Sequence, residues 1–216
     1  MDRKERLLRE IANEARYTGD ETGRPELSER VMEAMRRVPR EEFVPEDLAH
    51  RAYDNAPLPI GEGQTISQPF IVALMSDLLD PEPGDRILEV GTGCGYQAAV
   101  LAELVAEVYS IEYLADLGNA ASQRLDRLGY ANIHVRIGDG NRGWPEAAPF
   151  DGIIVTAGAP DRPETLVEQL APGGRMVVPV GRGLMGQDLR VVSKDAEGEV
   201  TSRSVLPVAF VPLEGG

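Results

Sequence analysis

The stretch Arg86-Ile-Leu-Glu-Val-Gly-Thr-Gly-Cys-Gly95 decides the fold of this chain. Its first half is an apolar run with the make-up of a buried strand, and its second half breaks into glycines at 91, 93 and 95. Glycines where a strand turns into a helix leave bare backbone against which a ligand can come close. A second strand pattern, Glu107-Val-Tyr-Ser-Ile-Glu112, ends on a carboxylate 21 residues after Gly91. An acid at that distance can accept hydrogen bonds from ribose hydroxyls, so the pair places a nucleoside on an α/β sheet.

From this stretch outward, strand and helix patterns alternate. Strands are predicted at 86–90, 108–112, 133–137, 152–156 and 175–180, with helices near 96–104, 114–128 and 163–170. Such alternation predicts a doubly wound, mainly parallel sheet covered on both faces. The end of the chain differs. Residues 188–193 and 199–211, joined by Lys194-Asp-Ala-Glu-Gly198, read as an antiparallel hairpin at one edge of the sheet. The pattern leaves open whether that hairpin flanks the parallel strands or inserts between them. Upstream, Phe70, Ile71, Leu74, Met75, Leu78 and Leu79 recur at helical spacing, and Pro81-Glu-Pro-Gly84 stops the helix. Two amphipathic helical patterns precede it, one on Leu7, Leu8, Ile11, Ala12 and Ala15, the other on Leu27, Val31, Ala34, Met35 and Val38. They form an N-terminal helical extension. Between 38 and 69 the chain is proline-rich and reads as extended or looping, a length that in a compact domain is usually functional.

A chain of 216 residues suits one α/β domain, here 1–216, with N-terminal helices and a substrate loop in 1–80 and the cofactor-binding sheet in 81–216. The net charge of −14 argues against DNA or RNA as partner, because such binding draws its affinity from neutralising phosphates. No run approaches 18 apolar residues and the start, Met1-Asp-Arg-Lys-Glu5, is charged, so a cytoplasmic monomer with no membrane partner is expected. Cys94 is the one cysteine; no disulfide or multi-cysteine metal site can form, and no metal is expected. Arg36, Arg37 and Arg40 read as a solvated helix face.

The kind of nucleoside follows from the third glycine. The nicotinamide-cofactor fingerprint needs Gly-x-Gly-x-x-Gly, and its last position here is Tyr96. The pattern Gly-x-Gly-x-Gly after Glu89 instead resembles the first motif of the class I S-adenosylmethionine-dependent methyltransferases. Behind it come Glu112, then Asp139-Gly140 closing Ile133-His-Val-Arg-Ile-Gly-Asp139, then Phe150-Asp-Gly-Ile-Ile-Val-Thr156. The resemblance implies cofactor contacts from Glu89, Gly91, Thr92, Gly93, Gly95, Glu112, Asp139, Gly140 and Thr156. Glu112 suits the ribose diol, and Asp139 the exocyclic amine of adenine. The local alternative for both acids is capping of the helix that follows.

The acceptor is read from Gly61-Glu-Gly-Gln-Thr-Ile-Ser-Gln-Pro69. Pro69 suits the first turn of the helix and makes Gln68 its N-cap, which leaves Ser67 free for another partner. This run, with Val38-Pro-Arg-Glu-Glu-Phe-Val44, Asp54-Asn55, Leu58-Pro-Ile-Gly61 and Phe210-Val-Pro-Leu213, strongly resembles the protein-L-isoaspartate O-methyltransferase family. The resemblance implies methyl transfer from S-adenosylmethionine to the α-carboxylate of isoaspartyl residues in damaged proteins and peptides, leaving S-adenosyl-L-homocysteine. Ser67 matches the family's active-site serine, and Thr65, Ile66, Gln68 and Val211 would line the substrate groove. A carboxylate that ordinarily titrates at roughly pH 4 is already ionised, so no general base is required and His50 and His134 stay outside the chemistry. Two other readings compete: a methyltransferase for a small carboxylic acid or another protein site, and a module that binds the cofactor or isoaspartyl peptides without turnover. Two departures from the family pattern stand out. Asn141-Arg-Gly-Trp144 follows Asp139-Gly140 where members vary, and the sequence ends soon after Leu213, where some relatives close a longer tail over the cofactor.

Overall fold

The computed structural model describes residues 2–181 and 186–215. In chain order the elements are α1 (Arg3–Tyr17), α2 (Gly19–Thr22), α3 (Glu29–Arg37), β1 (Leu58–Gly61), β2 (Gln64–Ile66), α4 (Pro69–Leu79), β3 (Arg86–Val90), α5 (Tyr96–Ala102), β4 (Glu107–Glu112), α6 (Ala115–Leu128), β5 (Ile133–Ile137), β6 (Phe150–Val155), α7 (Glu164–Glu168), β7 (Leu170–Gly181), β8 (Gln187–Lys194) and β9 (Val200–Val208). Short 3₁₀ turns lie at Arg40–Phe43, Glu46–Arg51 and Gly140–Arg142.

Seven strands form one sheet in the order β5-β4-β3-β6-β7-β8-β9, parallel from β5 to β7 and antiparallel beyond. The strand order reverses between β3 and β6. In an open α/β sheet the crevice at that switch point, outside the carboxyl ends of the strands, is where ligands bind. The terminal hairpin flanks the parallel strands: β8 pairs along β7 from Gly181↔Gln187 to Arg175↔Ser193 and carries β9 on its far side.

Period-two alternation separates the two faces of the sheet. Ile87, Val108, Ile154, Val177 and Val191 join one cluster with the apolar stripes of α1, α3, α4 and α5. Leu88, Val90, Ile153, Val155, Met176 and Val178 join the other, under α7. Leu7, Leu8, Ile11, Ala15, Val31, Ala34 and Met35 are all buried in the first cluster, which gives the N-terminal stripes the partner surface they need.

Two expectations change. The segment 38–69 holds a two-stranded hairpin, β1 with β2, whose turn places Gly61, Glu62 and Gly63 at positive φ. Leu58 and Ile66 face each other across it and are both buried. The helix expected at 163–170 stops at Glu168, because Leu170 pairs with Phe150 and opens β7, and Pro172-Gly-Gly174 then forms an irregularity before Arg175 pairs with Gly152. His50 lies in the second 3₁₀ turn.

Candidate active site

The glycine turn sits at the carboxyl end of β3, on the switch point. Gly91, Gly93 and Gly95 have φ of 99°, 55° and 90°, a region that L side chains rarely adopt. At Gly91 there is also no room, since a Cβ would run into the Thr156 side chain. The Thr156 hydroxyl donates to the carbonyls of Val90 (3.0 Å) and Gly91 (2.5 Å), which binds the end of β6 to the turn. Glu112, at the end of β4, is buried; its Oε2 accepts from the Gly93 N–H (2.8 Å) and its Oε1 from the Leu114 N–H (3.0 Å). Each carboxylate oxygen keeps a further lone pair for a hydroxyl donor.

Around this turn lies an open cleft at the switch point of the sheet. Gly91, Thr92, Gly93, Glu112, Gly140 and Thr156 line it on the sheet side, and Thr65, Ile66, Ser67 and Val211 on the side of the β1–β2 hairpin and the C-terminal segment. A second groove runs past Ser67, Gln68, Phe70 and Ile71 to residues 206–211. The two cavities share Thr65, Ser67, Thr156 and Val211.

Glu89, Gly95 and Asp139 do not line either cavity. Glu89 points below the turn, on the Ile87 face of β3. It is fully buried, accepts from the hydroxyl of Ser110, its register partner on β4, and Ser110 in turn lies 2.6 Å from the Thr92 hydroxyl. Burial raises its carboxyl to about 8; the Ser110 hydrogen bond pulls it down and the charge of Glu112 pushes it up. Glu89 therefore braces the turn from beneath. Asp139 caps the 3₁₀ turn at Gly140–Arg142, accepting from the N–H (3.0 Å) and side-chain amide (2.9 Å) of Asn141. Gly95 is the αL residue at the start of α5, packed on Leu125.

Asn141 and Trp144 take structural places: the Asn141 amide also donates to the Glu214 carbonyl (3.2 Å), and Trp144 packs edge-on to Tyr109 with Arg136 over its ring. The segment after β9 walls the cleft through Val211, Pro212, Leu213 and Glu214, held by Gly158 N–H to Val211 carbonyl (2.8 Å) and Leu213 N–H to Gly158 carbonyl (3.0 Å).

On the acceptor side Gln68 is the N-cap of α4 without a side-chain capping bond, and the helix N–H of Phe70 donates to Asn55 Oδ1 (3.0 Å) instead. Ser67 is half-buried. Its carbonyl is held by Arg40, which the sequence pattern puts on a solvated face. Arg36 and Arg37 are indeed exposed and paired with Glu5, Glu33 and Glu103. Arg40 is fully buried: it donates to the carbonyls of Ala52 (2.9 Å), Ala56 (3.3 Å) and Ser67 (3.1 Å), and its guanidinium lies 4.9 Å from the Tyr96 ring centre. Burial lowers its pKa. The sequence carries a signal for this: Arg40 follows Pro39, beyond the α3 stripe, in a run that ends on the buried Phe43. Ser110, a hydroxyl at an inward position of an apolar strand, carries a similar signal. Cys94 is buried, its thiol pKa raised by that burial, which leaves it a poor nucleophile.

A mainly parallel, doubly wound sheet with a glycine turn at its switch point and a carboxylate closing the adjacent strand defines a class I methyltransferase fold. The family model "Protein-L-isoaspartate(D-aspartate) O-methyltransferase (PCMT)" matches residues 20–216. A protein-L-isoaspartate O-methyltransferase 2 from Polaromonas sp. is 58% identical over 209 residues, covering 97% of this chain and 99% of that protein. Among solved structures, a protein-L-isoaspartate O-methyltransferase superposes with a TM-score of 0.82 at 29% identity over 98% of this chain, which spans 66% of that longer one. Another, a Plasmodium falciparum protein solved in complex with S-adenosyl-L-homocysteine, gives 0.79 at 26% identity, and the match covers 99% of both chains. The chain belongs to the protein-L-isoaspartate O-methyltransferase family.

Two expected outcomes follow from the buried groups. Glu89 holds its proton to about 8 in the folded state against an ordinary 4.5, so the unfolded chain binds fewer protons in that interval. Stability should fall as pH rises between those two values. Urea unfolding of Glu89→Gln should lack this part of the slope, and an unchanged slope would contradict the assignment. Arg40→Met leaves the three carbonyls of Ala52, Ala56 and Ser67 without their donor. It should cost about 2 kcal/mol in urea unfolding, whereas a change near zero would show that the guanidinium carries no structural weight.

Proposed function

We propose that this chain uses S-adenosyl-L-methionine to methylate the α-carboxylate of L-isoaspartyl residues in damaged proteins and peptides, with Ser67 holding the acceptor. The observation that carries this reading is the meeting of the two cavities at Thr65, Ser67, Thr156 and Val211. Methyl transfer needs donor and acceptor in separate pockets with one opening between them.

On the donor side, Gly91, Thr92, Gly93 and Gly140 present backbone to the ligand and Glu112 accepts from its ribose hydroxyls. The glycine turn and the carboxylate at the cleft wall fit an adenosyl ligand. When bound, S-adenosylmethionine supplies an electrophilic methyl group and leaves as S-adenosyl-L-homocysteine. Of the residues that the motifs assign to the cofactor, Glu89, Gly95 and Asp139 act behind this wall: Glu89 and Gly95 shape the turn, and Asp139 orders the 3₁₀ turn that presents Gly140.

On the acceptor side, the Ser67 hydroxyl donates to one carboxylate oxygen and leaves the other free to face the opening. Thr65, Gln68 and Val211 bound the groove around it, and Ile66, buried at 3% exposure, serves as wall rather than contact. No residue need remove a proton, because the acceptor is already an anion. Catalysis is then positioning, which can contribute roughly 7 to 11 kcal/mol in favourable cases. The resulting methyl ester closes to a succinimide as the neighbouring backbone amide nitrogen attacks the ester carbonyl and methanol leaves; hydrolysis of the ring returns part of the damage to normal aspartate.

The net charge of −14 disfavours a nucleic-acid substrate. No helix among the described residues is long and apolar enough to cross a membrane. The activity is read as cytoplasmic, on protein segments with exposed isoaspartyl residues.

Methyl-labelled cofactor with matched isoaspartyl and aspartyl peptides tests the reading. Base-labile label on the isoaspartyl peptide alone is expected. Label on neither peptide points to a small-acid enzyme, and cofactor retention without transfer to a binding module. Ser67→Ala should lower kcat/KM for the isoaspartyl peptide by about 10- to 100-fold, the loss of one hydrogen bond to a charged group. Affinity for S-adenosyl-L-homocysteine, measured by calorimetry, should stay near the parent value. Normal turnover in that variant would mean that Ser67 does not hold the acceptor.

A further inference from the structure

The acceptor groove is lined almost wholly by apolar and neutral polar side chains, among them Thr18, Phe70, Ile71, Leu206 and Phe210. Glu14, from the last turn of α1, is the exception: it carries the one formal charge among the described residues that line the groove. Its carboxylate is fixed in place. Oε2 accepts from the side-chain amides of Asn55 (2.7 Å) and Gln68 (3.0 Å), and Oε1 from the same Gln68 amide (3.2 Å). Both partners are neutral, so they orient the carboxylate without cancelling its charge, and a carboxylate has room for more than these donors.

Its place matters as much as its charge. Gln68 follows Ser67 directly, and Asn55 also caps α4 through Phe70, so Glu14 is tied to the segment that presents the acceptor serine. A charge on the wall of a concave, apolar-lined groove acts more strongly on its occupant than the same charge on open surface. Consecutive peptide residues lie about 3.8 Å apart, so the near neighbours of a residue held at Ser67 pass within reach of this wall.

We propose that Glu14 is a specificity-determining residue: its carboxylate selects isoaspartyl segments that carry a basic side chain within two residues of the damaged position over segments that carry an acidic one there. The proposal rests on the isoaspartyl reading and deepens it. The acidity of the whole chain also attracts basic peptides, so the test must separate one local charge from the general field.

Steady-state kinetics on isoaspartyl peptides that differ only in one flanking residue, Lys, Gln or Glu, placed in turn on either side, makes that separation. For the parent enzyme KM should rise from Lys to Gln to Glu, by about three- to fivefold across the series, the scale of one partly screened ion pair. Glu14→Gln should compress that spread to within about twofold, and Glu14→Lys should reverse the order. Glu197→Gln, in the distant turn between β8 and β9, removes one charge from the general field and should leave the spread intact. A purely structural role for Glu14 would move all three peptides together. No spread in the parent enzyme, or a spread that survives Glu14→Gln, would overturn the proposal. Failure of the parent to methylate even the Gln-flanked peptide would instead strike the isoaspartyl reading itself, and this proposal would fall with it.

Discussion

The hydrogen bond from the buried Arg40 guanidinium to the Ser67 carbonyl joins the two halves of the site. The same guanidinium lies over Tyr96, the first residue of the helix after the glycine turn, and holds the carbonyls of Ala52 and Ala56 that lead into the β1–β2 hairpin. Donor wall and acceptor segment are thereby anchored to one planar group. A transfer between two bound molecules needs their relative placement fixed to a fraction of a bond length, and this arrangement fixes it through backbone rather than through flexible side chains. Three carbonyl acceptors and an aromatic face lower the burial cost of this arginine, which has no acidic partner among the described residues.

The donor half relies on a different economy. Backbone and small side chains form its floor, so the field at the cleft is shaped by what lies beneath. The chain of Thr92, Ser110 and Glu89 ties adjacent strands β3 and β4 directly under the turn, and a protonated Glu89 keeps a second negative charge away from Glu112. Glu112 is then the acceptor at the cleft wall, already oriented by two backbone N–H groups.

Much of this is legible in the sequence, for reasons that differ by element. Strands 86–90 and 133–137 stand where the apolar runs put them, and the glycines of the turn announce positive φ that only glycine meets without strain. Ser67 is freed from a capping role because Pro69 fixes the start of α4 one residue beyond Gln68. The direction of Glu89 is legible in principle, since alternation along β3 puts it on the face of Ile87, beneath α5, but its place in the motif points toward the cofactor instead. Arg40 escapes the helical pattern because proximity in sequence to Arg36 and Arg37 is not proximity on the helix surface once Pro39 has ended α3. The β1–β2 hairpin is hidden because strands of four and three residues, interrupted by Pro59 and turned by Gly61 and Gly63, show no periodicity to read. The edge order depends on long-range pairing, which no local pattern encodes. Glu14 looks like an ordinary polar position of α1; only folding against Asn55 and Gln68 brings it to the groove.

A crystal structure of the chain with S-adenosyl-L-homocysteine and an isoaspartyl peptide tests the central claim most directly. The account predicts the peptide's side-branch carboxylate at the junction of the two cavities, one oxygen about 3 Å from the Ser67 hydroxyl and the other facing the sulfur. A peptide seated elsewhere, or a Ser67 hydroxyl turned away from that junction, would contradict it.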